Sequence, residues 1–409
     1  MKRMMMALAG AMLAAGCAST GGTGSRAKDA GTTFGRDALQ PYVDRGELSG
    51  AICVFYKDGW EETTCVGYAD VEAKRPIRMD DPFRQCSQTK GFCGVAVAIL
   101  VDDGKLKLDD PVSKYLPEFK TLWVEQSNSN GVRTLVKAKN ALTVRMCLNH
   151  TGGFAFEVPA KNPAIRGGGW SGGMPLRSAA AEAAALPLRY EPGTDAGYSN
   201  LGIDIGAAVV EVASGMSFED FLRTRVFEPL GMTDTTFKPT DEQLSHMVEI
   251  YGNGPKGKIV HQKDYGQMQR PFNDAHVFPS AGAGLWSTAR DQLKFYKMLM
   301  NLGLGENGVR ILKEETVFNI LAKSTRPPEL INPSKGICGY SMGLSASVEE
   351  ADTWFGHTGA LGTNAGMNWK DKEMYIWVVQ STGGGGWSAA WQKAKDDFCA
   401  HIAKRRLAP

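Results

Sequence analysis

β-Strand patterns stand at the two ends of this 409-residue chain, and helical patterns fill the stretch between them. Two apolar β-runs cover 51–56 and 61–68, and two more cover 363–369 and 374–380. Strands this far apart in the chain share a core most simply by joining one sheet. The sequence therefore predicts an α+β fold: an antiparallel sheet built from N- and C-terminal strands, flanked by helices, with an inserted, mainly helical region at about 105–276.

Helical patterns occupy most of the remaining chain. The run 89–101 is apolar and starts at a small polar cluster. Ser287-Thr288 followed by Asp291 predicts the start of a helix that extends to about residue 302. Further helices are predicted at 142–148, 177–185, 201–213 and 387–403.

The first residues predict export. A short basic start, Lys2-Arg3, precedes the apolar stretch 4–15, which is too short to span a bilayer, so 1–16 is typical of a secretory signal. The stretch ends before Cys17 in a pattern that resembles the bacterial lipobox, in which the cysteine becomes the lipidated first residue. A plain signal peptide that happens to contain a cysteine is the alternative.

A lipid on Cys17 would hold a folded domain at a membrane surface without spanning it. Ala18 rather than Asp follows the cysteine, which favours the periplasmic side of an outer membrane, or else the cell surface. Residues 17–33 are rich in Gly, Ser and Thr, as expected for a flexible tether. The folded domain is then expected at 34–405.

Export would place the other cysteines in an oxidising compartment, where disulfides form. A three-residue loop at 58–60 between the first two strands would put Cys53 directly opposite Cys65, so the sequence predicts a bridge between them. The chain has eight cysteines, and removing Cys17 from the count leaves an odd number. No Cys-x-x-Cys pair occurs and the six histidines are scattered, so no metal site is expected.

The composition excludes several classes of protein. Hydrophobic residues make up 43% and charged residues 22%, as in a globular protein with a sizeable core, which excludes disorder over most of the chain. The formal net charge is +2, and without Lys2 and Arg3 the basic and acidic residues are equal in number. This balance provides neither a basic surface for nucleic acid nor a polybasic patch for a membrane.

The first candidate for chemistry is Ser-x-x-Lys. Ser87 and Lys90 stand where the predicted helix 89–101 begins, so a hydroxyl and an amine share one helical face. A serine hydroxyl needs a base, and a lysine desolvated by packing can be neutral enough to serve. Ser25 and Lys28 show the same spacing, but they lie in the tether, where nothing would desolvate the lysine.

Two further short motifs, each with a structural double, could complete a site. Tyr198-Ser199-Asn200 precedes an apolar helix, and a phenol beside a lysine can shuttle the serine proton while the amide orients the lysine. Its double, 251–253, continues into Gly-Pro and predicts a turn.

His357-Thr358-Gly359 ends a short β-run, where a glycine-containing edge strand could align substrate and offer an oxyanion N–H. Its double, 150–152, predicts a helix C-cap.

Taken together and in this order, the motifs resemble the serine β-lactamase and D-alanyl-D-alanine carboxypeptidase superfamily, in the branch that holds class C β-lactamases, DD-peptidases and β-lactamase-like esterases. The resemblance covers most of the chain after the tether, and it implies that superfamily's fold. The matching segments are FRQCSQTK at 83–90, LDDPV at 108–112, LNHTGG at 148–153, EPG at 191–193, YSN at 198–200, AGLWST at 283–288 and GHTG at 356–359.

The resemblance implies a role for each matching residue. Ser87 would be the acylated nucleophile and Lys90 the base that takes its proton. Tyr198 would deliver a proton to the leaving group and activate water, and Asn200 would orient Lys90 and a substrate amide. The backbone N–H groups of Ser87 and Ala360 would form the oxyanion hole.

One position departs from the class C pattern. Class C β-lactamases usually carry lysine at the first position of the third motif, where this chain has His357. Histidine is mostly neutral at pH 7, so recognition of an anionic substrate group by His357, Thr358 and Gly359 is expected to be weaker and pH-dependent. This favours esterase-like hydrolysis over efficient β-lactam hydrolysis.

The sequence is open to two rival interpretations. Gly-x-Ser-x-Gly, the nucleophile elbow of α/β-hydrolases, occurs around Ser171 and Ser341, but neither stands between a buried strand and a helix. The other rival is a penicillin-binding-like sensor domain that keeps the fold without turnover.

The sequence therefore predicts an exported, lipid-anchored serine hydrolase that forms an acyl-enzyme with a small ester or amide, and esterase-like activity is favoured. A D-alanyl-D-alanine carboxypeptidase acting on a peptidoglycan-like substrate, or a class C-type β-lactamase, is the alternative. No metal or organic cofactor is implied.

Overall fold

A seven-stranded antiparallel sheet forms the centre of the molecule. The computed structural model describes residues 35–127, 131–155, 175–263, 278–331, 339–346, 354–382 and 389–406. The strands are β1 (Gly50–Lys57), β2 (Trp60–Asp70), β3 (Arg75–Pro76), β4 (Phe83–Arg84), β5 (Trp123–Ser127), β6 (Arg133–Lys137), β7 (Tyr251–Asn253), β8 (Ile259–His261), β9 (Trp286–Ser287), β10 (Ser345–Ala346), β11 (Trp354–Thr358), β12 (Asn364–Asn368), β13 (Glu373–Val378) and β14 (Ser381–Thr382). The main sheet has the order β10-β11-β12-β13-β1-β2-β3, so the N-terminal β1 lies beside the C-terminal β13.

Helices surround this sheet, and several begin at a residue suited to the role. The main helices are α1 (Arg36–Asp44), α2 (Thr89–Asp102), α3 (Val144–Leu148), α4 (Leu176–Ala183), α5 (Asn200–Ser214), α6 (Phe218–Leu222), α7 (Asp241–Ser245), α8 (Ala289–Met300) and α9 (Ala389–Arg406). A Ser or Thr hydroxyl caps the N-terminus by accepting a backbone N–H at Thr143, Ser199, Ser217, Thr240 and Thr288.

The two faces of the sheet pack against different helices. Ile52 and Val54 of β1 belong to the larger core, with residues of α2, α5 and α8. Ala51, Cys53 and Phe55 point to the other face, where they pack with residues of α1 and α9. This alternation is the period of two that a strand buried on both faces shows. The site described below lies on the α2 and α5 side.

The predicted fold class is confirmed, because strands from both ends of the chain form one antiparallel sheet. The inserted region holds α3 to α7, but it also contains the hairpins β5–β6 and β7–β8, so it is less purely helical than expected. The second of these hairpins includes Tyr251, which was expected in a turn.

The turn between β1 and β2 has two residues rather than the expected three. Asp58 and Gly59 have φ of +48° and +86°, and Lys57 pairs directly with Trp60. An Asp-Gly pair with both φ values positive favours a tight two-residue hairpin.

This shorter turn overturns the predicted disulfide. Cys53 pairs with Thr64, and Cys65 pairs with Ile52. Because a shift of one residue moves a side chain to the other face of a sheet, the two sulfurs lie on opposite faces. Both cysteines are free thiols.

Within the described ranges, no single helix has the length and apolar composition needed to span a membrane. The bent pair Asn200–Ser214 and Phe218–Leu230, with 77° between its parts, meets those criteria only when both parts are taken together. The same ranges contain no group of three or more His, Cys, Asp or Glu arranged to hold a metal ion.

Candidate active site

Ser87 lies in the helical turn Cys86–Gln88, which leads directly into α2. Cys86 has φ of +51°, in the left-handed region, so the chain bends sharply just before Ser87. The Thr89 hydroxyl fixes this turn by donating to the Cys86 carbonyl at 2.7 Å and accepting the Leu285 N–H at 3.2 Å. Ser87 is half-buried while both of its chain neighbours are buried, so its side chain is the accessible one in the turn.

Lys90 is fully buried and faces three acceptors. Its Nζ donates to Ser87 Oγ at 3.0 Å, to Asn200 Oδ1 at 2.6 Å and to the Gly282 carbonyl at 2.6 Å. Burial lowers the pKa of Lys90 from 10.5 to about 7, because the ammonium form loses its hydration. Close to neutral pH a large share of Lys90 is therefore uncharged and can accept a proton from Ser87.

Tyr198 and Asn200 stand at the start of α5. Ser199 caps this helix, so Asn200 is its first residue and points toward Lys90. The Lys90 Nζ lies 4.7 Å from the centre of the Tyr198 ring. The three residues predicted to share a site with Ser87 are thus brought together by the fold.

His150 also belongs to this cluster, although the sequence predicted it as part of a helix C-cap. It follows α3 with φ of +64°, and its ring centre lies 4.5 Å from that of Tyr198. Its Nδ1 accepts the Ser199 N–H at 3.2 Å, and its carbonyl accepts the Gly197 N–H at 2.9 Å. Burial keeps the pKa of His150 well below its usual value, so the ring is neutral. The repeat of His-Thr-Gly at this point was the signal that could have found it.

His357 is buried and neutral as well. Its Nδ1 donates to the Thr358 carbonyl at 2.6 Å, and its Nε2 accepts the Tyr340 hydroxyl at 2.6 Å. Burial lowers the pKa of His357 to about 3, assisted by the charge of Lys90. His357 is therefore neutral at pH 7, as expected. Recognition of an anionic substrate group by His357 was expected to depend on pH, but His357 stays uncharged far below pH 6. No sequence signal pointed to Tyr340.

The third motif lies at the end of β11, as predicted: His357 and Thr358 are the last residues of the strand, and Gly359 follows it. β11 is not the edge strand that was expected, because the short β10 pairs with Phe355 and Gly356. His357 and Thr358 extend past this pairing toward Ser87. The Gln88 side chain, next to Ser87, donates to the His357 carbonyl at 3.3 Å and so ties β11 to the start of α2.

Gly359 and Ala360 lie in the turn after β11. A Cβ on Gly359 would lie 2.4 Å from the Gln85 carbonyl, so only glycine permits this close approach. Ala360 is exposed, and its backbone N–H donates a hydrogen bond to the Cys86 thiol. This bond lowers the pKa of the thiol, but burial has the larger effect and raises it. The turn therefore brings the Ala360 amide next to Cys86, one residue before Ser87.

Asp204 is a site residue that the motifs did not indicate. It lies one helical turn after Asn200 on α5, is 4% exposed, and accepts the Gly282 N–H at 3.0 Å. Burial raises the pKa of Asp204 to about 6, against the opposing effect of its hydrogen bonds and of Lys90. An acidic residue four positions after Asn200, within the otherwise apolar stretch 201–210, was the available signal.

The Gly-x-Ser-x-Gly segment around Ser341 has a packing role. The Ser341 side chain is fully buried and donates to the Leu344 carbonyl at 3.1 Å. A Cβ on Gly94 of α2 would lie 1.8 Å from the Met342 carbonyl, so this segment crosses directly over α2. The segment also delivers Tyr340 to His357. Ser171 lies outside the described residues.

The chain is similar to known proteins over most of its length. The Beta-lactamase family model matches residues 36–395. "Esterase EstB" of Burkholderia gladioli is 31% identical over 247 residues, which are 56% of this chain and 59% of that protein. "Putative D-alanyl-D-alanine carboxypeptidase" of Salmonella typhimurium (strain LT2) is 27% identical over 295 residues, or 68% of this chain and 64% of that protein.

A solved structure shows the same fold. "EstCE1, a hydrolase with promiscuous acyltransferase activity" superposes with a TM-score of 0.71 at 22% identity, covering 89% of this chain and 97% of that one. Because the family model covers most of the chain, the protein belongs to the beta-lactamase family and is a serine hydrolase.

Proposed function

We propose that the protein is an esterase-like hydrolase that forms an acyl-enzyme on Ser87. The observation that carries this proposal is the 3.0 Å contact between Ser87 Oγ and the Nζ of Lys90, a buried lysine with a pKa near 7. A neutral amine at hydrogen-bond distance is what a serine needs in order to attack a carbonyl carbon.

The remaining residues receive roles from their positions. Tyr198, against Lys90, passes a proton to the leaving group and later takes one from the attacking water. Asn200 holds Lys90. The family resemblance, rather than an observed contact, assigns the oxyanion to the amides of Ser87 and Ala360, and losing one such donor typically lowers kcat by about 10²–10³.

The third motif favours a neutral substrate group. His357 carries no charge and uses both ring nitrogens within the protein, so it offers no cation to a substrate carboxylate. A D-alanyl-D-alanine peptide and a β-lactam each present such a carboxylate, whereas a simple ester does not. The carboxypeptidase reading stays as the alternative, and the name of the Salmonella relative supports it.

The decisive experiment is mass spectrometry of the protein with three compounds, each incubated separately: a short-chain p-nitrophenyl ester, a D-Ala-D-Ala peptide and a penicillin. We expect steady consumption of the ester through an adduct on Ser87. Ser87→Ala should abolish turnover, while Ser171→Ala and Ser341→Ala, as matched serine controls, should retain it. Full activity of Ser87→Ala would refute the assignment.

The other outcomes separate the alternatives. Release of D-alanine without ester turnover would favour the carboxypeptidase. Consumption of the penicillin would favour a β-lactamase. One equivalent of product followed by no further turnover, with a lasting adduct, would favour the sensor domain.

We also propose that the protein is exported and anchored by a lipid on Cys17. Residues 1–34 lie outside the described part of the chain, so this rests on the sequence pattern alone. Cell fractionation of the native protein and of Cys17→Ser tests it. The native protein should sediment with membranes and carry a lipid mass at its N-terminus, and the variant should not. Equal fractionation of both would contradict the anchor.

A further inference from the structure

Asp204 is a carboxylate buried in the apolar middle of α5. Its neighbours in the chain, Ile203 and Ile205, are fully buried, and Asp204 itself is 4% exposed. Removing a carboxylate from water costs several kcal/mol unless hydrogen bonds or an opposite charge compensate. The contacts of Asp204 therefore indicate what its charge stabilises.

Those contacts are to the loop that holds Lys90. Asp204 Oδ1 accepts the Gly282 N–H at 3.0 Å and the Ser280 hydroxyl at 3.0 Å. The carbonyl of the same Gly282 accepts a hydrogen bond from Lys90 Nζ at 2.6 Å. The carboxylate thus sets the position of a residue that in turn positions the lysine.

The loop packs closely against α5 at Gly282. A Cβ on Gly282 would lie 3.0 Å from the Cβ of Asn200 and 3.1 Å from its Oδ1, the atom that accepts from Lys90. Asn200 and Asp204 are four residues apart and share one face of the helix. This face therefore holds Lys90 directly through Asn200 and indirectly through Gly282.

We propose that Asp204 is a positioning residue for Lys90, which fixes the 280–282 loop and stabilises the ammonium that Lys90 becomes during acylation. This inference rests on the proposed function. In the acylation step the Ser87 Oγ–H bond breaks, its electron pair forms the bond to the substrate carbonyl carbon, and the proton goes to Lys90 Nζ. Asp204 exchanges no proton in this step. It supplies the negative charge that balances the new ammonium.

The charge of Asp204 acts in the expected direction, since it raises the pKa of Lys90 and partly offsets the effect of burial. Lys90 also meets titratable groups from each element around it. These are Cys86 and Cys93 from its own helix and the turn before it, Tyr198 just before α5, His150 after α3, and His357 from β11. Cys93 also lies within electrostatic reach of Asp204. The burial that raises the pKa of each of the two thiols keeps them neutral near pH 7, and the two histidines stay neutral, so among these carboxyl, thiol and imidazole groups Asp204 is the anion.

The test is the pH profile of kcat/KM for Asp204→Asn with a p-nitrophenyl ester. Asp204 raises the pKa of Lys90, and loss of a nearby opposite charge shifts a pKa by about one unit or more, so the acid limb should move down by about one pH unit. Because Lys90 then becomes a weaker base, kcat/KM on the plateau should fall about tenfold, and the profiles of variant and native protein should converge toward pH 5. A purely structural defect would lower the whole profile without moving its midpoint.

Two variants serve as controls. Asp291→Asn removes another buried carboxylate, whose partners are Lys294 and Thr235, and it should leave the midpoint unchanged. Ser280→Ala removes one hydrogen bond from Asp204 and should shift the midpoint in the same direction by a smaller amount. An unchanged midpoint in a folded Asp204→Asn variant would overturn the proposal, as would an equal shift in Asp291→Asn.

A second measurement does not depend on activity. Heteronuclear NMR of labelled lysine follows the titration of Lys90 in native protein and in Asp204→Asn. If Asp204→Asn fails to fold, Ser280→Ala is measured in its place. A lower Lys90 midpoint in the variant supports the proposal, and an unchanged one refutes it. If Ser87→Ala kept its activity, the proposed function would fail, while this titration would still report on Asp204 and Lys90.

Discussion

The acid limb of the pH–rate profile follows directly from the burial of Lys90. If Lys90 takes the Ser87 proton, kcat/KM depends on the fraction of the lysine that is neutral. With a pKa of about 7, about half is neutral at pH 7 and about one part in 100 at pH 5, so kcat/KM should fall about 50-fold between these values. At the ordinary pKa of 10.5 only about one part in 3,000 would be neutral at pH 7. The lowering of the Lys90 pKa from 10.5 to about 7 means that the fold stabilises neutral lysine relative to the ammonium form by about 5 kcal/mol.

The assay is hydrolysis of a p-nitrophenyl ester from pH 5 to 9, followed at the isosbestic wavelength of p-nitrophenol so that ionisation of the product does not distort the rate. His357 and His150 cannot produce a midpoint near 7, because burial holds the pKa of each far below its usual value. Asp204, with a pKa of about 6, titrates as part of the same coupled system, so the apparent values belong to the pair.

Lys90→Arg sharpens the test. Arginine keeps the positive charge but does not deprotonate in this range, so the variant should lose at least about 10³-fold in kcat/KM at every pH. Circular dichroism at pH 5 and pH 8 controls for unfolding. A profile that stays flat from pH 5 to 8, or an active arginine variant, would show that Lys90 is not the base.

Three shorter predictions concern packing and covalent state. Tyr340→Phe removes the donor to His357 Nε2 and should lower the free energy of unfolding by about 1–3 kcal/mol, measured by urea denaturation; an unchanged midpoint would contradict the bond. Ser341→Ala loses one buried hydrogen bond and should cost about 1 kcal/mol in the same assay while turnover persists. Alkylation and mass mapping under denaturing, non-reducing conditions should label both Cys53 and Cys65, and a peptide linking them would refute the observed register.

Local sequence patterns predicted the parts of this molecule that depend on local physics. Ser87 and Lys90 are three residues apart at the start of a helix, so their contact follows from helix geometry. The N-cap at Thr288 was predictable for the same reason, since the residues that make it are neighbours in the chain. The convergence of Tyr198 on Lys90 could be expected only from the order of motifs and the family resemblance.

Contacts between distant segments could not be predicted from local sequence patterns. Gly282 and Tyr340 reach the site on loops, and loops have no sequence periodicity from which their course could be predicted. His150 has the sequence pattern of a helix end, and its contact with Tyr198 depends on a distant segment. The disulfide error had another cause. Asp58-Gly59 favours a two-residue turn, whereas the predicted bridge required a three-residue loop. A change of one residue in the register moves each side chain of a strand to the other face of the sheet.

The pairing of β1 with β13 constrains how the molecule is made. Ile52 lies opposite Val378, so one edge of β1 has no partner until more than 300 further residues have left the ribosome. A nascent chain that stalls before β13 would expose β1 as an open strand edge, which is a template for aggregation. His357, on β11, is also made long after Ser87, so the cleft around Ser87 is completed only after β11 has been synthesised.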